Sequence, residues 1–239
     1  YPITQGDNPK MEVDFPDQPA WQRYLDAGGT LVRDDWRRNN VDALIERIYR
    51  SIGQTKPWVR FGISPFGLGR PELRPQDIRG FSQYHKLYAD VERWLQEGWL
   101  DYLVPQLYWA IDTREQAFGV LLDYWHSQNV RNRHVWAGMF TSRIAATEDG
   151  SPKAWSPGEI INQVALVRDR APESGHVHFS MVALHTNRQG VSDKLQMLSY
   201  QNPAVVPATP WLSAEPLGPV QVRLVALSPG HAQLSLLST

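Results

Sequence analysis

A strand-like run followed by a helix-like run recurs four times in this chain, at intervals of roughly 40 residues, and that order leaves few folds open. Trp58-Val59-Arg60-Phe61-Gly62-Ile63-Ser64-Pro65-Phe66-Gly67 is β-rich and ends in a Ser-Pro and glycine turn; a helix with Leu87, Val91, Trp94 and Leu95 on one face follows. Residues 100–109 then read as a strand, and residues 115–128 as a helix that turns Ala117, Val120, Leu121, Tyr124 and Trp125 inward, with Asp112 or Thr113 placed to cap it. The third unit has a strand at 134–140 and a helix at 157–170, opened by Ser156-Pro157-Gly158-Glu159, a capping box with proline at the first helical position. The fourth has a strand at 176–184 and a short helix at 191–200. One strand alternating with one helix calls for parallel strands joined by right-handed crossovers, an α/β fold. Four units occupy about 165 residues, so a closed eight-unit barrel would need roughly 320, above the ~250 typical of the TIM (β/α)8 fold. Half of such a barrel fits this chain.

The flanks read differently. Residues 1–34 are rich in Pro, Gly and Asp and read as a long loop with one short helix around 21–27. From Trp36, Val41, Leu44, Ile45, Ile48 and Ile52 recur at helical spacing, with Asp35 placed to cap the start and Pro57 beyond the end. After Tyr200, Pro203, Pro207 and Pro210 lead to alternating runs at 219–225 and 232–236 around a Pro-Gly turn. Two strands do not make a stable sandwich. They read as the start of a β-sandwich-like module of immunoglobulin or fibronectin type, giving a main domain at 1–212 and a linker with opening strands at 213–239.

Composition excludes several functions. Lys plus Arg number 24 against 25 Asp plus Glu, so no global field draws in a nucleic acid. The absence of cysteine removes thiolate metal sites, a cysteine nucleophile and any disulfide framework. No run of 18 apolar residues is present to span a bilayer, and the opening Tyr1-Pro2-Ile3-Thr4 is not a signal sequence, so any leader is absent or removed. His176 and His178 alternate on one strand without an acidic or cysteine partner, which argues against a metal, and Gly67-Leu68-Gly69 is too short for a phosphate loop. No cofactor is expected.

Three stretches together point to a family. They are Asp35-Trp36-Arg37-Arg38-Asn39-Asn40-Val41; Lys56-Pro57 running into the 58–67 strand; and Leu87-Tyr88-Ala89-Asp90 through Trp94-Leu95-Gln96-Glu97-Gly98-Trp99-Leu100-Asp101-Tyr102 to Pro105-Gln106-Leu107-Tyr108-Trp109. Over residues 1–212 the chain resembles the glycosyl hydrolase-like ten family, bacterial cell-envelope TIM-barrel enzymes that include one acting on peptide-free peptidoglycan glycans. In that family an acidic His-Phe-Asp-Asp-Tyr motif closes the fourth barrel strand just before a Tyr-Pro segment. The resemblance therefore implies that Tyr1-Pro2 follows strand four, that the four units are strands five to eight, and that the acids of the first half lie outside this chain. It implies an extracytoplasmic location, a β-linked glycan as substrate, and the N-terminal half-barrel as a partner.

Sugar hydrolysis by the usual route needs two carboxyl groups, one to protonate the leaving oxygen and one to attack or activate water. In a TIM barrel the chemistry sits at the C-terminal ends of the strands. Those ends are Ser64-Pro65-Phe66, Gln106-Leu107-Tyr108-Trp109, Gly138-Met139-Phe140 and residues 180–185, none with a carboxylate. The nearest acids are Asp34, Asp35 and Asp112; Asp35 reads either as a helix cap or as the catalytic carboxylate, and Asp101 lies at the entering end of its strand. Alternation sends Gln106 and Tyr108 to one side, where aromatic rings can stack on a sugar and an amide can hold its hydroxyls. Trp109, Ser64, Phe66 and Phe140 join them as substrate-binding candidates. Trp36 and Arg37 either complete a sugar subsite, the arginine fork suiting an N-acetyl carbonyl or a lactyl carboxylate, or pack beneath the loop. Two functions follow: a glycoside hydrolase whose acids come mainly from outside this chain, which is then inactive alone, or a carbohydrate-binding or interaction protein without hydrolysis.

Overall fold

A computed structural model of the chain describes residues 13–145, 154–213, 221–228 and 231–237. The chain divides into two compact units, Tyr1–Val206 and Pro207–Thr239. In the first, the strands are β1 (Gly62–Ile63), β2 (Tyr102–Leu103), β3 (His134–Val135), β4 (Ala137–Met139) and β5 (His176–His178). The helices are α1 (Gln18–Asp26), α2 (Arg33–Thr55), α3 (Gln83–Lys86), α4 (Val91–Glu97), α5 (Phe118–Ser127), α6 (Pro157–Arg170), α7 (Met181–His185) and α8 (Val191–Leu198).

Among the described residues every strand pair of this unit is parallel. Gly62 faces Tyr102 and Tyr102 faces His134, while Ala137, Gly138 and Met139 face His176, Val177 and His178. Single-residue parallel bridges, Phe66 with Gln106 and Gln106 with Gly138, carry the pairing toward the strand C-termini. β3 and β4 follow one another along a single run, so β1, β2, the β3–β4 run and β5 lie side by side in sequence order with helical segments between them, the α/β order that the repeating pattern predicts.

The pleat sorts side chains onto two faces. Leu103, Leu107, Val135, Ala137 and Met139 are buried in one core with Val91 and Leu95 of α4, Leu121 and Trp125 of α5, and Ile160, Val164 and Val167 of α6. On the opposite face Tyr102, Gln106, Tyr108, His134, Trp136 and Phe140 are half-buried, and Val177 and Phe179 are exposed. Gly62 is required here: a Cβ would sit 2.1 Å from the Tyr102 ring. Asp101, at the entering end of its strand, accepts from the Phe61 N–H at 2.7 Å.

Several boundaries differ from the sequence expectation. Within the described part of the first 34 residues, α1 is the short helix expected around 21–27, starting earlier, at Gln18, and α2 already starts at Arg33. Val32 is the N-cap of α2, so Asp35 is not the cap; it lies inside the first turn and pairs with Arg38. Carboxylates there are favoured by the helix dipole whether or not they cap. Leu44 and Val120, expected inward, face solvent. The helix expected around 87–95 starts only at Val91, since Tyr88 takes a positive φ of 54° and Asp90 caps α4 through the Arg93 N–H; the separate short α3 ends before Leu87. The N-cap of α5 is Ala117 rather than Asp112 or Thr113. Helix α6 spans the expected residues, yet the Ser156 side chain makes no cap bond and Glu159 is engaged elsewhere. The fourth strand ends at His178, and Met181–His185 is helix, with Ala183 buried. An apolar run this short fits either state.

In the second unit β6 (Gln221–Ser228) pairs antiparallel with β7 (His231–Leu237), with an irregularity between Leu224 and Ala226. The expected strand start at 219–220 and the Pro-Gly turn lie outside the described residues.

Candidate active site

The strand ends form the site from the backbone upward. After β1 the chain turns at Ser64-Pro65, leaving Ser64 exposed, and the Gln106 amide donates to the Ser64 carbonyl at 3.0 Å. Buried Gln83 fixes the next residues, accepting from Phe66 N–H at 3.1 Å and donating to the Phe66 and Leu68 carbonyls at 3.2 and 3.3 Å. The Phe66 ring rests on Phe81, centroids 4.8 Å apart. Gly67 lets this loop close on β2, for a Cβ there would lie 2.2 Å from the Gln106 carbonyl oxygen.

Tyr108 is the centre of an aromatic group. Its ring lies 5.0 Å from Phe140 and stacks on Phe179 at 5.5 Å; Phe140 and Phe179 are 5.8 Å apart, and Trp155 meets Phe140 edge-on at 6.5 Å. Burial pushes the Tyr108 phenol above its ordinary pKa, so it stays a neutral donor. Phe179 is about half exposed, leaving part of the group open. Open ring faces beside an amide can stack on the apolar face of a sugar while a hydrogen bond fixes a hydroxyl.

The candidates separate into two groups. Ser64, Phe66, Gln106, Tyr108 and Phe140 sit together at the C-terminal ends of the strands. Trp109 directly follows Tyr108 but packs its ring on the hydrophobic core, and its carbonyl accepts from Gln163. Trp36 and Arg37 belong to the start of α2, and no hydrogen bond or ring contact among the described residues joins them to Tyr108, Phe140 or Phe179. Trp36 is buried against Trp21 and Tyr24, centroids 5.2 and 5.9 Å away. The Arg37 guanidinium donates to Asp17 at 2.7 and 3.0 Å, to Asp14 at 3.0 Å and to Tyr88 Oη at 2.5 Å. Arg37 and Arg33 hold the Asp17 carboxyl down at about 2, against a desolvation cost that acts the other way. Here the fork of Arg37 is taken up by its own chain.

Phe179, Phe81 and Trp155 escape the sequence reading. The signal for Phe179 was available: Ser180 is the N-cap of α7, and reading the helix start there would have ended the strand at Phe179 instead of Leu184.

None of the gathered strand-end residues is a carboxylate. Glu159 reaches this side by hydrogen bonding, accepting from the Ile111 N–H at 2.9 Å. Among the described residues no group of three or more His, Cys, Asp or Glu is arranged to hold a metal. His176 and His178 instead converge on one hydroxyl, their Nε2 atoms 2.5 and 2.8 Å from Tyr200 Oη.

Residues 8–156 match the family described as glycosyl hydrolase-like 10. The chain belongs to that family. The match takes in Ser64, Phe66, Gln106, Tyr108, Phe140 and Trp155, and ends before β5 and Phe179. Similar curated proteins are glycosyl hydrolase YngK of Bacillus subtilis (strain 168), 40% identical over 207 residues, and glycosyl hydrolase DigH of Escherichia coli (strain K12), 37% identical over 151 residues. These cover 83% and 61% of this chain but 39% and 33% of the relatives, so the chain spans less than two fifths of their length.

Proposed function

We propose that this chain forms one wall of a glycoside hydrolase active site, strands five to eight of a TIM barrel, acting on a bacterial cell-wall or related β-linked glycan. The observation that carries the reading is the Tyr108, Phe140 and Phe179 group, open at the C-terminal ends of parallel strands in a glycosyl hydrolase-like chain. The rings stack on sugar faces and Gln106 holds a hydroxyl, with Ser64 and Phe66 at the rim. Trp109 packs on the core beneath this wall, while Trp36 and Arg37 are held by α1, the segment before it and Tyr88. An N-terminal half-barrel completes the site and brings the acids; the sheet face left half-buried or exposed is the surface it would meet. Asp35, paired with Arg38, is the carboxylate of this chain proposed nearest that chemistry. The β6–β7 hairpin is read as the opening of a β-sandwich-like module. The proposed location is extracytoplasmic, and no helix among the described residues is long and apolar enough to cross a membrane.

The lack of a strand-end carboxylate also favours a second reading, a carbohydrate-binding protein without hydrolysis. Calorimetric titration with chitin oligosaccharides and peptide-free peptidoglycan glycans tests what both readings share. Tyr108→Ala and Phe179→Ala are each expected to weaken binding by about 1 to 2 kcal/mol. Unchanged affinity in folded variants would return both rings to a packing role. Release of new reducing ends by the full-length gene product then separates hydrolysis from binding.

A further inference from the structure

Helix α6 presents a carboxylate and an amide, one turn apart, to the loop that follows β2. Gln163 is fully buried; its Nε2 donates to the Trp109 carbonyl at 3.1 Å and to Glu159 Oε1 at 2.8 Å. The same Glu159 oxygen accepts from the Ile111 N–H at 2.9 Å. Both ends of the Trp109–Ile111 segment are thereby tied to one rigid helix, immediately after Tyr108.

Two local costs accompany this arrangement. Ser156-Pro157-Gly158-Glu159 is a capping-box sequence, yet Ser156 makes no side-chain cap bond and Glu159 bonds to the loop instead of its own helix start. An unused cap forgoes stability on the order of 1 kcal/mol. Gln163 Oε1 is buried with no hydrogen-bond partner among the described residues, a further cost. Local rules broken together in one place are a mark of functional sites. A charge-assisted bond in a low-dielectric setting is the stiffest tie available to such a loop.

We propose that Glu159 and Gln163 are positioning residues, a two-point clamp on Trp109–Ile111 that sets the Tyr108 ring against Phe140 and Phe179 for glycan stacking. The glycan part rests on the function proposed above; the ring-setting part does not.

The test uses the whole chain, with 3-fluorotyrosine incorporated and the Tyr108 resonance assigned through Tyr108→Phe. Glu159→Ala and Gln163→Leu are expected to shift or broaden that resonance well below their melting temperatures. Glu159→Gln, which keeps an acceptor for Ile111 and Gln163, is expected to restore it. An unmoved Tyr108 resonance in folded Glu159→Ala overturns the clamp, whether or not any glycan binds. In chitotetraose titrations Glu159→Ala is expected to weaken binding about five-fold, Glu159→Gln less than about two-fold. In a Tyr108→Ala background Glu159→Ala should add little, because the clamp acts through that ring. An equal further loss there overturns the proposal. Wild-type chain that binds no chitotetraose, with the resonance shifts present, counts against the glycan reading and leaves the clamp standing.

Discussion

His176 and His178 share a face of β5 and lean on Tyr200, whose ring stacks on His176 at 5.7 Å. Thr141 Oγ1 lies 2.7 Å from His178 Nδ1, so this ring has a partner at both nitrogens. Burial depresses both imidazoles from 6.5 to about 4; for His176 the neighbouring His178 and Arg168 act in the same direction. Between pH 6.5 and 4 the unfolded chain therefore binds protons that the folded chain refuses. The stability from these rings is fully present above pH 6.5 and drains away as pH falls toward 4. The gap from 6.5 to 4 corresponds to about 3 kcal/mol per ring if wholly expressed. Because both rings are only partly covered, screening brings this to about 1 to 2 kcal/mol each at pH 4.5. The double variant His176→Gln, His178→Gln removes the titration and keeps an amide facing Tyr200. Urea unfolding from pH 8 to pH 4.5 is the assay. Wild type should lose about 2 to 4 kcal/mol more than the variant across that range. Parallel stability curves would refute the argument.

Other consequences follow from the same geometry. Asp35→Asn should be nearly silent, with turnover of the full-length gene product within a few-fold of wild type, since an exposed pair with Arg38 contributes at most about 1 kcal/mol; a collapse in turnover at unchanged melting temperature would make Asp35 the acid or base. Arg37→Met removes the partner that holds Asp17 at about 2 and should cost about 3 kcal/mol in denaturant unfolding, the scale for breaking a buried pair. Asp17's contribution is present above pH 3.8 and lost as pH falls toward about 2, so wild type and variant should converge in strong acid. With Phe179 and Val177 exposed at the sheet face, the purified chain should self-associate in light scattering, and a monodisperse monomer with a cooperative melt would contradict the half-barrel proposal.

The repeating units were legible because their longer helices carry apolar residues at helical spacing or a clear start signal, and α6 spans the expected residues at both ends. The strands of the first unit were harder: only two or three residues of each are ladder-paired, and the Val182-Ala183-Leu184 run could not declare its state from so short a pattern. Gln106 and Tyr108 were legible as a pair through simple alternation. Arg37 was not, because its partners Asp14, Asp17 and Tyr88 lie far from it in sequence and no local pattern announces them. Glu159 shows the same limit from the other side, since its capping-box spacing is genuine and a loop 48 positions away competes for the carboxylate and wins.

The central claim is that glycan lies across the strand-end aromatic group. The direct measurement is an aromatic- and amide-resolved NMR titration of the chain with chitotetraose, assigned by single substitutions at Phe66, Gln106, Tyr108, Phe140 and Phe179. Saturable shifts concentrated at those five residues, with Trp21 and Trp36 unmoved, are the predicted result. Shifts confined to the α1 and α2 aromatics, or none at millimolar sugar, would contradict it.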